Sequence, residues 1–306
     1  MKLVMTLQAA DAETDLVEAH LSFHLNLGVD LVIATDDGSG GGTTEILESF
    51  ARDGYVRLLR DERNELAGSE LCTRMARLAA SEHGADWVIS SAPDEFWWPR
   101  GHDLEEVLSA IPGRYGVVQG VVRHFVPCLG DDGFFAERMT VRGTAQAPIN
   151  APASRWRARV RVVHRGDPSV TFRGDGRALG AGDLIPLRGW YPVEVLHFGA
   201  RSRAEAHGLS DEDVARGVAD GSLATDMRLR DVLRRLRNQA EGGFVRPDGV
   251  GPRLRLAGPS LAEEAEYAVE VAMIGDASVV DAQRRLDELE SHIASLRRRR
   301  QVLGRT

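Results

Sequence analysis

Lysine is almost missing from this chain. Lys2 is the only one, and every other basic side chain is arginine. That pattern reads first as a GC-rich coding bias. Cysteine is scarce too: Cys72 and Cys128 stand alone, with no CxxC pair. This excludes a disulfide framework and a cysteine-rich zinc site, and fits a reducing compartment. No apolar run reaches the roughly 18 residues of a membrane span. The N-terminal stretch "MKLVMTLQAADAETD" turns acidic by Asp11 and has no signal-peptide cleavage pattern. A soluble, cytoplasmic protein is expected. A basic excess is also lacking. The net charge of −8 argues against a partner wrapped through its phosphate backbone, so no nucleic-acid partner is expected.

What the chain does hold is enough apolar material for a core, 43% of 306 residues. That length favours two domains, or one large domain with an appendage. The first hundred residues alternate strand and helix signals. "KLVMTLQA", "VDLVIATDD", "YVRLLRD" and "ADWVISS" read as strands apolar on both faces. "ETDLVEAHLSFHLNLG", "TTEILESFARDG" and "SELCTRMARLAASEHG" read as helices. Gly28 and Gly54 mark helix ends, and Thr43 or Thr44 is placed as an N-cap. Strand–helix repeats of this kind predict an α/β fold, a mostly parallel sheet sandwiched by helices.

In such sheets, ligands bind beyond the carboxyl ends of the strands. Asp36 and Asp37 end one strand, and Asp94 and Glu95 follow another. Both acidic pairs are therefore expected on one edge. From Gly116 onward, "YGVVQGVVRHFVP", "ARVRVVHRG" and "VEVLHFG" suggest added strands, including antiparallel ones. After Ser202 the chain reads as helical and charged. Val279, Ala282, Leu286, Leu289, Ile293, Leu296 and Leu303 follow three–four spacings, a coiled-coil-like seam interrupted by Arg300. That helix either packs on its own domain or forms a homodimer.

The segments "VIATDDGSGGGTTEIL", "RMARLAASEHGADWVISSAPDEFWWP" and "EVLHFGARSRAE" together resemble a glycosyltransferase of family 2 type. The resemblance covers roughly residues 1 to 205. It implies a GT-A fold over 1–202, with 203–306 as a helical C-terminal region. It also implies transfer of a sugar from a nucleotide-sugar donor, expected to be a UDP-sugar, to an acceptor hydroxyl, with inversion. Asp36, Asp37, Arg74 and Arg201 would bind the donor, with Arg203 a further candidate for phosphate.

Where the family carries Asp-x-Asp, whose carboxylates hold a divalent cation, this chain has Ala92-Pro93-Asp94. Gly41 likewise stands where the family has an acid. Three expectations stay open: a cation (Mn or Mg) held by Asp94 with His197, phosphate binding by arginines without metal, or loss of catalysis. Glu95 is the first candidate for the base that takes the acceptor proton, ahead of Asp131, Asp132, Glu137 and Glu194. Trp97 or Trp98 would stack on a sugar face, or else pack beneath the sheet. The alternative function is a sugar-nucleotide-binding or scaffold protein without turnover. A nucleotidyltransferase is a third reading, weakened by the lack of a glycine-rich, lysine-bearing phosphate loop.

Overall fold

The computed structural model describes residues 1–9, 14–36, 42–60, 68–127, 133–144, 159–173, 178–179, 183–199, 210–237, 243–247 and 254–260, with single positions and pairs up to 271. Chain order begins β1 (Leu3–Gln8), α1 (Thr14–Asn26), β2 (Leu31–Asp36), α2 (Gly42–Arg52), β3 (Val56–Arg60), α3 (Gly68–Ser81) and β4 (Trp87–Ser91). These are the seven elements expected from the strand and helix signals. They form for the expected reason: the strands are apolar on both faces, and α2 and α3 each bury one stripe, Leu47 and Phe50 on α2 and Cys72, Met75, Ala76 and Ala79 on α3. Gly28 and Gly54 adopt positive φ at the ends of α1 and α2.

The chain continues through β5 (Glu95–Pro99), α4 (Leu104–Ser109), β6 (Val117–Val126), α5 (Phe135–Arg138), β7 (Val141–Gly143), β8 (Val160–Arg165), β9 (Phe172–Arg173), β10 (Ala178–Leu179), β11 (Val193–His197), α6 (Asp211–Ala219), β12 (Leu223–Thr225) and α7 (Arg228–Leu236). Among the described residues, ten strands form one sheet in the order β12-β7-β6-β8-β4-β1-β2-β3, with β11 between β6 and β5. Strands β1 to β4 are mutually parallel. The later strand β8 runs antiparallel to both β4 and β6 and fills the gap between them. The α/β expectation holds, and so does the expectation of antiparallel additions.

A large core with α1 on one side of the sheet contains Leu3, Met5, Phe23, Trp87, Ile89, Phe96 and Trp97. A smaller one under α3 contains Val4, Ile33, Met75, Ala76 and Val88. Part of the described chain beyond 202 joins the large core, while Val214 and Leu223 pack with Val126 and Val141, and Tyr267 and Val271 with Val121 and Tyr191. Leu229, Val232, Leu233 and Leu236 of α7 pack in the large core together with Phe244 and Leu256. Backbone bonds from Leu254 to Asn26 and from Leu256 to His102, each 2.8 Å, lace this segment to the first hundred residues. The helical text after Ser202 also hides a strand, β12, which pairs with β7. The coiled-coil-like seam at 279–303 lies outside the described residues. Among the described residues, no helix is long and apolar enough to cross a membrane.

Candidate functional site

Parallel strands β1, β2 and β4 end on one edge, so β2 and β4 deliver their following residues to the same side. Register places Thr35 beside Gln8, and Ser91 beside Leu7. Only β1 separates β2 from β4, so the strand ends at Asp36 and Ser91 lie about 12 Å apart, two strand spacings across and two residues along. Asp36 and Asp94 therefore share one edge, as the sequence led us to expect.

Asp36 is half-buried at the end of β2. Thr44 donates its hydroxyl to Asp36 Oδ2. The other carboxylate oxygen, Oδ1, is buried and has no hydrogen-bond partner among the described residues. A buried carboxylate oxygen left this way carries a desolvation cost that an incoming N–H or O–H donor relieves. Helix α2 starts at Gly42, so Thr43 and Thr44 sit inside its first turn and neither is the N-cap; Thr44 serves Asp36 instead. Gly42 packs closely on Thr14: a Cβ there would fall 2.4 Å from Thr14 Cγ2, which would have to move.

The segment Ala92-Pro93-Asp94-Glu95 is a tight turn. Glu95 N donates to Ala92 O at 3.1 Å, and Pro93 takes the second position, which proline favours. Glu95 Oε2 accepts from Ala92 N at 3.2 Å, and Arg161 Nε donates to Glu95 Oε1 at 2.5 Å. Glu95 is only 2% exposed. Its two oxygens are thus taken by the turn and by a guanidinium. Glu95, the first candidate for the base, therefore has both carboxylate oxygens engaged in holding this turn.

After the turn the chain enters β5, which pairs with β11. Phe96 and Trp97 are fully buried and Trp98 is 7% exposed. Trp97 N donates to His24 Nε2 at 3.0 Å, and Trp97 Nε1 donates to Ser91 Oγ at 3.1 Å. Burial and the Trp97 bond to His24 keep that imidazole neutral, its pKa pushed down to about 3 chiefly by desolvation. The sugar-stacking expectation for Trp97 and Trp98 is therefore corrected: the aromatics pack in the core.

Asp94 projects from the turn toward β11. Register sets His197 opposite Glu95, and His197 Nε2 lies 3.3 Å from Asp94 Oδ2. Phe198 N donates to Asp94 O at 2.9 Å, which fixes the turn against the end of β11. Gly199 keeps the space beside the pair open. A Cβ there would stand 2.4 Å from His197 Cε1 and 3.3 Å from Asp94 Oδ2. Behind His197 stands His124 of β6, Nδ1 to Nδ1 at 3.0 Å. Burial, then His197, Arg159 and Arg161, push the His124 pKa down to about 3. Sequence reading passed over His124, although "RHFVP" and "LHFGA" repeat His-Phe at two strand ends; Phe125 and Phe198 stack at 4.4 Å.

The other candidates lie elsewhere. Arg74 is exposed on α3 and lines a groove of about 550 Å³ with Arg77 and Phe172. Glu137 pairs with Arg234. Glu194 is buried among Arg123 (2.6 Å), Arg228 (3.0 Å) and Arg100 (3.5 Å). Burial alone would raise its pKa, yet those arginines hold it well below the usual range. Asp37, Arg201, Arg203, Asp131 and Asp132 lie outside the described residues. Among the described residues, no group of three or more His, Cys, Asp or Glu side chains is arranged to hold a metal. Asp94 and His197 offer two donors.

No family model matches the chain, and no curated protein matches it. Among solved structures it is similar to a nucleotidyl transferase from Methanothermobacter thermautotroptrophicus, at 20% identity over 30% of this chain and 50% of that one, with a TM-score of 0.24. It is also similar to S. aureus TarS 1–349 in complex with UDP-GlcNAc, at 14% identity over 64% of this chain and 58% of that one, TM-score 0.35. The same TarS region in complex with UDP is 13% identical over 97% of this chain and 89% of that one, TM-score 0.35. The chain spans half the length of the first of these structures.

Proposed function

We propose that the chain is a glycosyltransferase of GT-A architecture that moves a sugar from a nucleotide-sugar donor, a UDP-sugar, to an acceptor hydroxyl with inversion. The observation that carries this reading is the shared strand edge. A buried, unpartnered Asp36 Oδ1 stands there with the Asp94–His197 pair two strands away. Asp36 would accept from a base N–H or a ribose hydroxyl, and Asp37 and Arg201 would complete the donor site. Asp94 and His197, 3.3 Å apart at Oδ2 and Nε2, would supply two ligands to a divalent cation. An ion of this kind is commonly held by one or two protein groups plus substrate phosphates. When bound, it would neutralise charge building on the leaving diphosphate. The protein's own part is to orient: Asp36 at the nucleoside end, Asp94 and His197 at the phosphate end, and Glu95 holding the turn through Arg161.

The test is a thermal-shift and UDP-release screen of UDP-sugars with Mn²⁺, Mg²⁺ or EDTA. Stabilisation by a UDP-sugar together with UDP release supports the reading; no shift with any nucleotide sugar defeats it. One observation favours a second reading, a sugar-nucleotide binder without turnover: Glu95 is engaged by Arg161. Stabilisation without UDP release under all three conditions would select it.

A further inference from the structure

A large polar cavity lies on the other face of β11. Successive residues of a strand point to opposite faces, so Glu194 faces away from His197, and Arg123 of β6 away from His124. Around Glu194 and Arg123 opens a cavity of about 1120 Å³, at the upper end of the sizes that take small molecules. Helix α7 forms one wall, and the segment from Leu256 to Glu270 contributes another. The polar groups hold one another in place. Arg228 Nη1 donates to Glu194 at 3.0 Å, while its Nε and Nη2 donate to Asp226 at 3.0 and 2.8 Å. Arg142 Nε reaches the same Asp226 at 2.9 Å, and Arg123 Nε donates to Glu194 at 2.6 Å. The Arg228 guanidinium also stands over Trp98, 5.1 Å from the ring centroid. A guanidinium has five N–H groups. Arg228 therefore keeps one on Nη1 and one on Nη2, on a side chain that is 31% exposed. Arg235, two turns along α7, is exposed at the same cavity, as are Thr225 and Glu263.

The lining selects the chemistry of a ligand. Five arginines and five carboxylates surround the cavity, so no net charge draws an ion of either sign. An apolar molecule would strip water from these groups and return no hydrogen bond. A neutral molecule rich in hydroxyls suits both kinds of group, since each hydroxyl donates to a carboxylate and accepts from a guanidinium. The ion pairs already fix the side chains, so little ordering is left to be done on binding. We propose that this cavity is a saccharide-binding site that takes a neutral sugar chain through hydroxyl hydrogen bonds to Arg228, Arg235 and the carboxylates beside them. The inference goes beyond the donor reading and does not rest on it. Strand β11 carries the two sites on opposite faces, with Glu194 about 10 Å along the strand from His197. A sugar chain held there leaves the edge with Asp36 and Asp94 open.

The test is an array of neutral and acidic glycans, probed with the full chain and with Gly258→Trp and Arg235→Ala. Gly258 lines the cavity, and a Cβ there meets nothing within 4 Å. An indole at that position therefore fills space without displacing the ion pairs. The parent should retain neutral saccharides. Gly258→Trp should lose that retention while its Tm stays at the parent value. Arg235→Ala should weaken binding of the best-retained saccharide about tenfold by calorimetric titration, the worth of a hydrogen bond to a charged group. No glycan retained by the parent, retention of acidic glycans alone, or equal retention by Gly258→Trp and the parent overturns the proposal. If Gly258→Trp does not fold, Arg235→Ala decides, and unchanged affinity in that variant overturns it. The array is run without nucleotide or metal, so its outcome is separate from that of the UDP-sugar screen.

Discussion

Replacing Glu95 by Gln separates two accounts of the acidic turn. Glu95 is buried and its partner Arg161 is 8% exposed at the side chain, with Nε 2.5 Å from Oε1. Removing one member of a buried pair leaves the other charge uncompensated, at a cost of about 3–5 kcal/mol. Gln keeps an acceptor for Arg161, so the lower end applies, about 3 kcal/mol. With an unfolding entropy of about 2.1 cal/mol/K per residue, roughly 0.6 kcal/mol/K for the chain, that loss lowers Tm by about 5 °C. Differential scanning calorimetry reads it directly. Arg161→Met alone should cost a comparable amount, because it leaves the Glu95 carboxylate buried. The double variant should lose clearly less than the sum, since removing both charges removes the imbalance. If Glu95→Gln melts within about 1 °C of the parent while UDP release falls by orders of magnitude, the anchoring account is wrong and Glu95 is the base after all.

Asp36→Asn removes the charge at the unpartnered oxygen. UDP binding by calorimetry should weaken about 10- to 100-fold, the worth of a hydrogen bond to a charged group; unchanged affinity would remove Asp36 from the donor site. Gly199→Ala places a Cβ 2.4 Å from His197 Cε1 and should abolish Mn²⁺ binding while leaving UDP binding without metal intact. His20 and His24 are held neutral, chiefly by burial, with pKa values lowered from 6.5. Stability from such groups is fully present above the unfolded pKa and is lost as pH falls. Denaturant unfolding should therefore weaken below about pH 6.5, by up to roughly 1.4 kcal/mol per pH unit for each histidine. A flat profile from pH 6.5 to 5 would contradict their neutrality. Glu194 adds a further acid loss. Its depressed pKa means that Glu194→Gln should cost most at neutral pH, and that the gap to the parent should begin to narrow only as pH falls below the ordinary carboxylate value of 4.5, closing only beneath the depressed folded value.

The first half of the fold was legible because periodicity and punctuation agree there. Strands apolar on both faces alternate with one-striped helices, and Gly28 and Gly54 stop two of them. The convergence of Asp36 and Asp94 followed from parallel order alone. What went unseen depended on pairing at long range. Ala92 to Glu95 form a tight turn into β5, and of the two readings open for Trp97 and Trp98, a sugar platform or packing beneath the sheet, the core packing is the one found. The role of Glu95 turned on Arg161, which lies 66 positions away in the chain. His124 was hidden because its meaning comes from register with His197, 73 positions on. The repeated His-Phe was the available signal, and it becomes readable only once β6 and β11 are known neighbours. Arg74 is the converse case: helical periodicity placed it on α3, but not on which side of it.

Strand β8 sits between β4 and β6 although it is made about seventy residues after β4. During synthesis, the parallel half can assemble early, yet its Trp87–Ser91 border stays bare until residues 160–165 arrive. That bare border is an invitation to another chain. Late closure of the middle is also slow, since distant segments must find one another first. Truncations ending before residue 160 should therefore precipitate rather than yield a smaller working protein, and the yield of the whole chain should respond to chaperone supply.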